Sequence, residues 1–247
     1  MNDSIFLDDL YSAIHPSWNQ FLTVEIREIL TLISGQVDLT SFTPPPERVL
    51  HFLTRDLSTA KVVIIGQDPY PQQGVASGRA FEVSTLKDWN QTFRNVSLKN
   101  IIRSVYYATT GNLLTYKQII SLTENYLFTD KFKIAPPHQL FKSWERQGVL
   151  LLNTSFTCHI GQPGSHAKIW QPFSSMLLEY INESNPNLIW FLWGKHAQEA
   201  TQHISITNKF ISHHPMICQP GENDFLFGKE NCFKMTADKI NWTGLNT

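Results

Sequence analysis

Four short stretches of the chain end in residues that can do chemistry together. Gly66-Gln67-Asp68-Pro69-Tyr70 brings a carboxylate and a phenol, Asn153-Thr154 an amide, Gly194-Lys195-His196 a cation, and His213-His214-Pro215 a pair of imidazoles. A carboxylate, an amide and an imidazole around one cavity suit a flat heterocycle whose edge mixes donors and acceptors. Asn153 accepts one hydrogen bond and donates another, which matches a pyrimidine edge where an N–H adjoins a carbonyl. A ring with the inverted pattern, such as cytosine, leaves both partners unpaired. Phe81, after the turn-forming Gly74-Val75-Ala76-Ser77-Gly78, offers an aromatic face to such a ring.

Taken singly, each residue has a plainer reading. Asp68 before a proline is a turn or cap residue, Asn153 a turn former, Phe81 a core side chain, and His213-His214 a satisfied pair or a metal site. No HExxH spacing or nearby acid pair completes a metal set, so neither a metal nor any other cofactor is expected. Joint placement decides between the readings, and that depends on the elements that carry these residues.

Lys61–Gly66, Val149–Asn153, Asn187–Gly194 and Lys209–Pro215 are too apolar to alternate and are separated by helical patterns. Such runs read as strands of a parallel sheet covered on both faces. Helices are expected where apolar residues recur at Trp18, Leu22, Ile26, Ile29 and Ile33, and at Phe173, Met176, Leu177, Tyr180 and Ile181 after Pro172. Further helices are expected over Glu47–Arg55, Leu98–Ala108, His138–Gln147 and His196–His203, with Gly148 stopping the third of these. The expected fold class is α/β, a single domain over residues 1–247 with a central four-stranded parallel sheet flanked by helices. Ligands of open α/β sheets bind beyond the carboxyl ends of the strands. Asp68, Tyr70, Asn153 and His214 should therefore meet in one pocket.

Composition narrows the setting. The 20 Lys plus Arg against 21 Asp plus Glu give none of the global positive charge of a general nucleic-acid binder, so any such binding must be local. Cys158, Cys218 and Cys232 lie far from any CxxC spacing, which argues against a disulfide framework, a zinc site or an iron–sulfur cluster. No secretory h-region or long apolar run is present in the sequence, so a cytoplasmic protein without membrane contact is expected.

The segment Gly66–Tyr70 resembles the GQDPYH signature of family 1 uracil-DNA glycosylases, and further matches follow in order. Pro44-Pro45-Pro46-Glu47 is similar to the family's PPPE, and Gly74-x-Ala76-x-Gly78-x-Ala80-Phe81 to its GxAxGLxFS loop. Trp144-x-x-Gln147-Gly148 through Asn153 resembles WxxQGVLLLN, Ser165-His166-Ala167 resembles SHA, Phe191–Gly194 resembles LLWG, and His214-Pro215 opens what is normally HPSPLS. The resemblance implies hydrolysis of deoxyuridine in DNA to free uracil and an abasic site. In that reading Asp68 places negative charge beneath the sugar and orients water, and His214 donates to uracil O2. Tyr70 stands against C5, Phe81 stacks, Asn153 reads the base edge, and backbone around Gln67 contacts base and water. Uracil-containing single- or double-stranded DNA is the implied partner of a monomer, leaving open a single-strand-binding protein or a protein inhibitor.

The departures concentrate on DNA handling. Pro71 replaces the signature's last His and so removes a donor that in the family helps order water near the reaction centre, while Glu82 stands for the Ser after the stacking Phe, Lys195 for the Ser after LLWG, and Met216 for the Ser of HPS. Arg94-Asn95-Val96-Ser97 replaces a proline-rich loop, leaving Ser97 as the one matched phosphate-gripping serine, with Lys195 able to act by charge. Cys218 aligns with the Leu that the family inserts into the vacated base stack, and it fills a gap poorly. Ile217, or one of Phe225, Leu226 and Phe227 in an exposed cluster, is expected to act as the wedge instead. A rival reading is a relative that binds DNA or protein as a scaffold with weak or lost catalysis.

Overall fold

In the computed structural model, residues 4–8, 10, 12–115 and 132–245 are described; the ends of the expected domain, 1–3 and 246–247, lie outside them. Strands β1 (Phe42–Thr43), β2 (Val62–Gly66), β3 (Val149–Asn153), β4 (Cys158–His159), β5 (Ile189–Trp193) and β6 (Asn208–Ser212) form two sheets. The main one is four-stranded and parallel in the order β3-β2-β5-β6. A small antiparallel pair, β1 with β4, was not expected from the sequence.

Alternation along the central strands divides the core. Val63, Ile65, Leu150, Leu152, Trp190 and Leu192 face a layer containing Trp18, Phe52, Trp170 and Phe173. Val62, Ile64, Val149, Leu151, Phe191 and Trp193 face a second layer containing Ile101, Trp144, Phe233 and Trp242. Both faces of β2 and β3 are thus covered, as their apolar runs require. The fourth run departs from expectation: β6 is an edge strand, exposed or half-buried along its length, with Ile211 49% exposed.

The helices refine the sequence reading. The Trp18–Ile33 pattern divides into a 3₁₀ turn at Pro16–Trp18 and a helix at Val24–Gln36, whose N-cap Thr23 accepts from Ile26 N–H. The expected Glu47–Arg55 helix breaks at Leu50 into Pro46–Val49 and a 3₁₀ turn at His51–Thr54. Helix Ala167–Ser184 begins before Pro172 and contains it. The lost backbone bond is tolerated because Trp170, Phe173, Leu177, Leu178 and Ile181 bury one continuous face. Helices Val96–Thr110 and Pro137–Arg146 fall where they were expected, and Lys195–Ala200 stops three residues short of the expected His203. Gly148, with φ 97°, ends Pro137–Arg146 and donates to the Glu145 carbonyl.

Candidate active site

Register brings the chemistry together. Gly66 pairs with Asn153, and the ladder continues past the strands through Thr154 N–H to Gly66 O and Ser155 N–H to Gln67 O. Asp68 and Asn153 therefore leave the sheet at one level. Gly66 admits this closeness, since a β-carbon there would collide with Asn153 Oδ1. On the other side Trp193 pairs with Ser212, and Gly194, with φ 87°, lies so close to His214 that a β-carbon would sit 2.7 Å from its own.

These residues line a cavity of about 270 Å³ with Gln67, Asp68, Tyr70, Phe81, Ser97, Asn153 and His214 on its walls. That volume is near the small end of ligand sites, about 300–1,000 Å³, a size suited to a single ring rather than a larger ligand. Asn153 is buried, and Phe81 takes the left-handed backbone conformation at φ 66°, rare for an aromatic residue. Its ring lies 5.4 Å from Trp193 and 6.1 Å from His214, centroid to centroid. A strained residue at a cavity wall marks a side chain held where packing alone would not put it.

Electrostatics suit the roles implied by the sequence. Burial raises the Asp68 carboxyl above its ordinary range, opposed by His196 and by hydrogen bonds from Gly164, Gln67 and Ser155. Its Oδ1 is buried without a hydrogen-bond partner. Burial also lowers the His214 pKa, helped by nearby His196, so the ring is neutral at pH 7. Met216 N–H donates to His214 Nδ1 at 3.1 Å, which fixes the proton on Nε2, a tautomer that sequence does not encode. Burial pushes the Tyr70 phenol up to about 12, offset in part by Asn95.

Motif residues outside the cavity hold it in place. His166 Nδ1 lies 2.9 Å from Thr157 Oγ1, which also accepts from Trp170, and this anchors the loop that brings Pro163 and Gly164 to the site. Trp144 donates to the Trp242 carbonyl, and Gln147 exchanges hydrogen bonds with Asn241, tying the chain's later segment beneath β3. Asn100 Nδ2 reaches the Pro215 carbonyl at 2.6 Å, which links helix Val96–Thr110 to the His214 loop.

Glu82 is buried rather than free in the loop. Arg79 pairs with it at 2.9 Å and with Glu145 at 2.7 Å, and His51 lies 3.1 Å from Glu145. Burial opposes the Glu145 charge, but the His51 hydrogen bond and Arg79 outweigh it and lower its pKa. Because the Arg79–Glu82 pair spans Phe81, this polar cluster supports the strained residue. Sequence reading missed Arg79 and Glu145, whose partnership arises only when distant segments fold together. His196, named at the end of the third run but given no role there, lies 2.6 Å from Thr154 Oγ1 and opposes the upward shift of Asp68.

The mouth of the cavity corrects one expectation. Phe225 and Leu226 are buried, with Phe225 4.9 Å from Trp193 ring to ring, so they are not an exposed wedge. The buried Asp224 carboxylate turns them inward by accepting from the N–H groups of Gln219, Leu226 and Phe227. Cys218 also turns back, its Sγ 3.7 Å from the Pro215 carbonyl, leaving Met216 and Ile217 as the outward tip, 58% and 61% exposed. Phe227 is half-exposed. Lys195 is exposed with Glu199 at 3.5 Å, and Ser97 is buried at the cavity wall.

All three cysteines are free, and burial pushes each thiol up to about 12, so none is a ready nucleophile. Among the described residues no group of three or more His, Cys, Asp and Glu could hold a metal, and no helix is long and apolar enough to cross a membrane.

Residues 54–228 match the family model described as the uracil DNA glycosylase superfamily. A uracil-DNA glycosylase of Aliivibrio salmonicida (strain LFI1238) is 29% identical over 247 residues, covering 94% of this chain and 99% of that protein. One from varicella-zoster virus (strain Dumas) is 36% identical over 158 residues, 63% of this chain; the match spans 43% of that protein's length. Among solved structures, the wild-type UNG of Nitratifractor salsuginis aligns with a TM-score of 0.66 at 23% identity, covering 88% of this chain and 91% of that one. With the family model spanning well over half of its length, the chain belongs to the uracil DNA glycosylase superfamily.

Proposed function

We propose that this chain hydrolyses the N-glycosidic bond of deoxyuridine in DNA, releasing uracil and leaving an abasic site. The carrying observation is one ring-sized cavity lined by Asp68, Tyr70, Phe81, Asn153 and His214. The base leaves as an anion from a sugar that becomes cationic. The Asp68 carboxylate stabilises that cation and orients the attacking water, and the neutral His214 ring donates from Nε2 to uracil O2. Asn153 pairs with the base edge, Phe81 stacks on the ring, and Tyr70 excludes a methyl at C5. In a duplex the nucleotide is extruded first, at a cost of a few kcal/mol. The protein acts as a cytoplasmic monomer on single- and double-stranded DNA, with phosphate contacts from Ser97 and Lys195 and with Ile217 at the vacated stack.

Uracil release from single-stranded and duplex oligonucleotides tests this. Wild type should release uracil, leave thymine- and cytosine-containing strands uncut, and lose about 100- to 1,000-fold in rate on Asp68→Asn. A folded wild type inactive on both strand types would point instead to a scaffold that has lost catalysis.

A further inference from the structure

Beside the ring-sized cavity lies a larger one of about 550 Å³. The two share Tyr70, Pro71, Ser97 and Met216, so they adjoin across a common ridge. The far wall runs from Gln91 to Asn95, into the segment that replaces the family's proline-rich loop. Phe93 lies there half-buried, the Lys99 ammonium 5.1 Å from its ring centroid and the Trp89 ring at 6.3 Å. Arg94 stands exposed at the rim, and Gln91 and Asn95 add amides.

An aromatic wall with the Arg94 guanidinium at its edge and amides within reach is the chemistry that binds a single-stranded nucleotide, its base against the ring and its phosphate near the cation. We propose that this cavity is a second subsite, which takes the unpaired base of the nucleotide next to the target uracil. The inference rests on the uracil-excision reading, because a strand threaded into the first cavity carries its neighbour to the ridge. Volume agrees, since a cavity of this size lies within the range of small-molecule sites. In a duplex the neighbouring base is paired and stacked, and entering the cavity would mean unstacking a second nucleotide. A single strand has no such requirement. The subsite therefore favours a single strand over a duplex without excluding either.

The test is steady-state uracil release by the full chain from short single strands with one central uracil. Three strands are compared: one with natural neighbours, one lacking the base on the 5′ side and one lacking it on the 3′ side. Deleting the base on one side should raise KM about tenfold with kcat unchanged, as expected for lost stacking, and deleting the other should not. Thr92→Trp, at an exposed position on the cavity wall, should obstruct the subsite without endangering the fold. It should raise KM on the natural strand by about the same factor and abolish the difference between strands; Phe93→Ala should do likewise. If neither deletion moves KM, or if the effects of Thr92→Trp and base deletion multiply, the subsite is refuted while excision stands. If the natural strand yields no uracil, the excision reading falls and the subsite with it.

Discussion

The ring-sized cavity and the loops at its mouth treat the family pattern differently. Around the cavity, Asp68, Tyr70, Phe81, Asn153 and His214 keep the residue types of the motifs, Pro71 being the departure on the same wall, and the fold fixes three of the five by a specific constraint. Asn153 is set by strand register against Gly66, His214 by contact with Gly194 and by Met216 N–H, and Phe81 by an Arg79–Glu82 pair across its strained backbone. At the mouth, Lys195, Met216 and Cys218 stand where the motifs have Ser, Ser and Leu. Reading a ring edge needs donors and acceptors at fixed points, so few residue types serve. Phosphate can be held by a hydroxyl, an ammonium or a backbone N–H, so many do. One region is constrained by geometry and the other by charge and reach.

That contrast is broken most directly at Asn153. Asn153→Ala should reduce kcat/KM for uracil release by about a thousandfold or more, because a site built to hydrogen-bond a ring edge depends on both partners. Circular dichroism should remain native, since the change is at a strand end beside a glycine. A loss of tenfold or less would mean that the base edge is read elsewhere, and the cavity would lose its claim to tighter constraint.

What could be read from sequence divides along the same line. Strand ends were legible because β2 and β3 are continuous apolar runs, and a parallel sheet delivers their last residues to one edge. That was enough to group Asp68, Asn153 and His214. The mouth was not legible, because loop residues have no period to reveal which side faces inward. Phe225 and Leu226 look like an exposed apolar pair until the Asp224 carboxylate, capping three backbone N–H groups, turns them into the core. The exposed face of β6 escaped notice for another reason: an apolar run does not announce that its strand is at an edge. Buried Glu82 looked like an isolated departure until Arg79 was seen beside it.

The wedge sharpens the comparison at the next scale. Ile217→Ala should lower duplex cleavage about tenfold and leave single-strand cleavage within about twofold, since only a duplex has a stack to refill. Phe225→Ala should behave differently, destabilising the fold by about 3–5 kcal/mol as a buried aromatic does and lowering activity on both substrates alike. If Ile217→Ala affected both substrates equally, the tip at Met216 and Ile217 would not enter the stack.

A smaller effect separates the two regions by stability. Asp68 holds its proton more tightly in the folded chain than in the unfolded one, because burial raises its pKa above 3.8. Ionising it therefore costs stability; the cost is fully present above the folded pKa and is lost as pH falls through that pKa to below 3.8. Asp68→Asn should melt a few degrees higher than wild type at pH 7, and the gain should fade as pH falls towards 3.8. Thermal scans across that range check the sign, and a lower melting temperature at pH 7 would mean that the carboxylate is stabilised, not strained, in the fold.

The smallest effect lies at Lys195, and salt resolves it better than rate does. Its pairing with Glu199 at 3.5 Å is between exposed side chains, 89% and 58% accessible, and such pairs contribute only about 0–1 kcal/mol. Little therefore opposes a turn of the ammonium towards a phosphate. Lys195→Ala should raise KM about threefold at low salt and by nothing measurable at high salt, with the slope of log KM against log salt reduced by about 0.7–0.9, one phosphate contact's worth. kcat should not change, since the residue touches neither base nor sugar. An unchanged slope would remove Lys195 from the DNA path and leave the hydroxyl of Ser97 and the guanidinium of Arg94 to carry the strand, so that grip too would depend on fixed geometry.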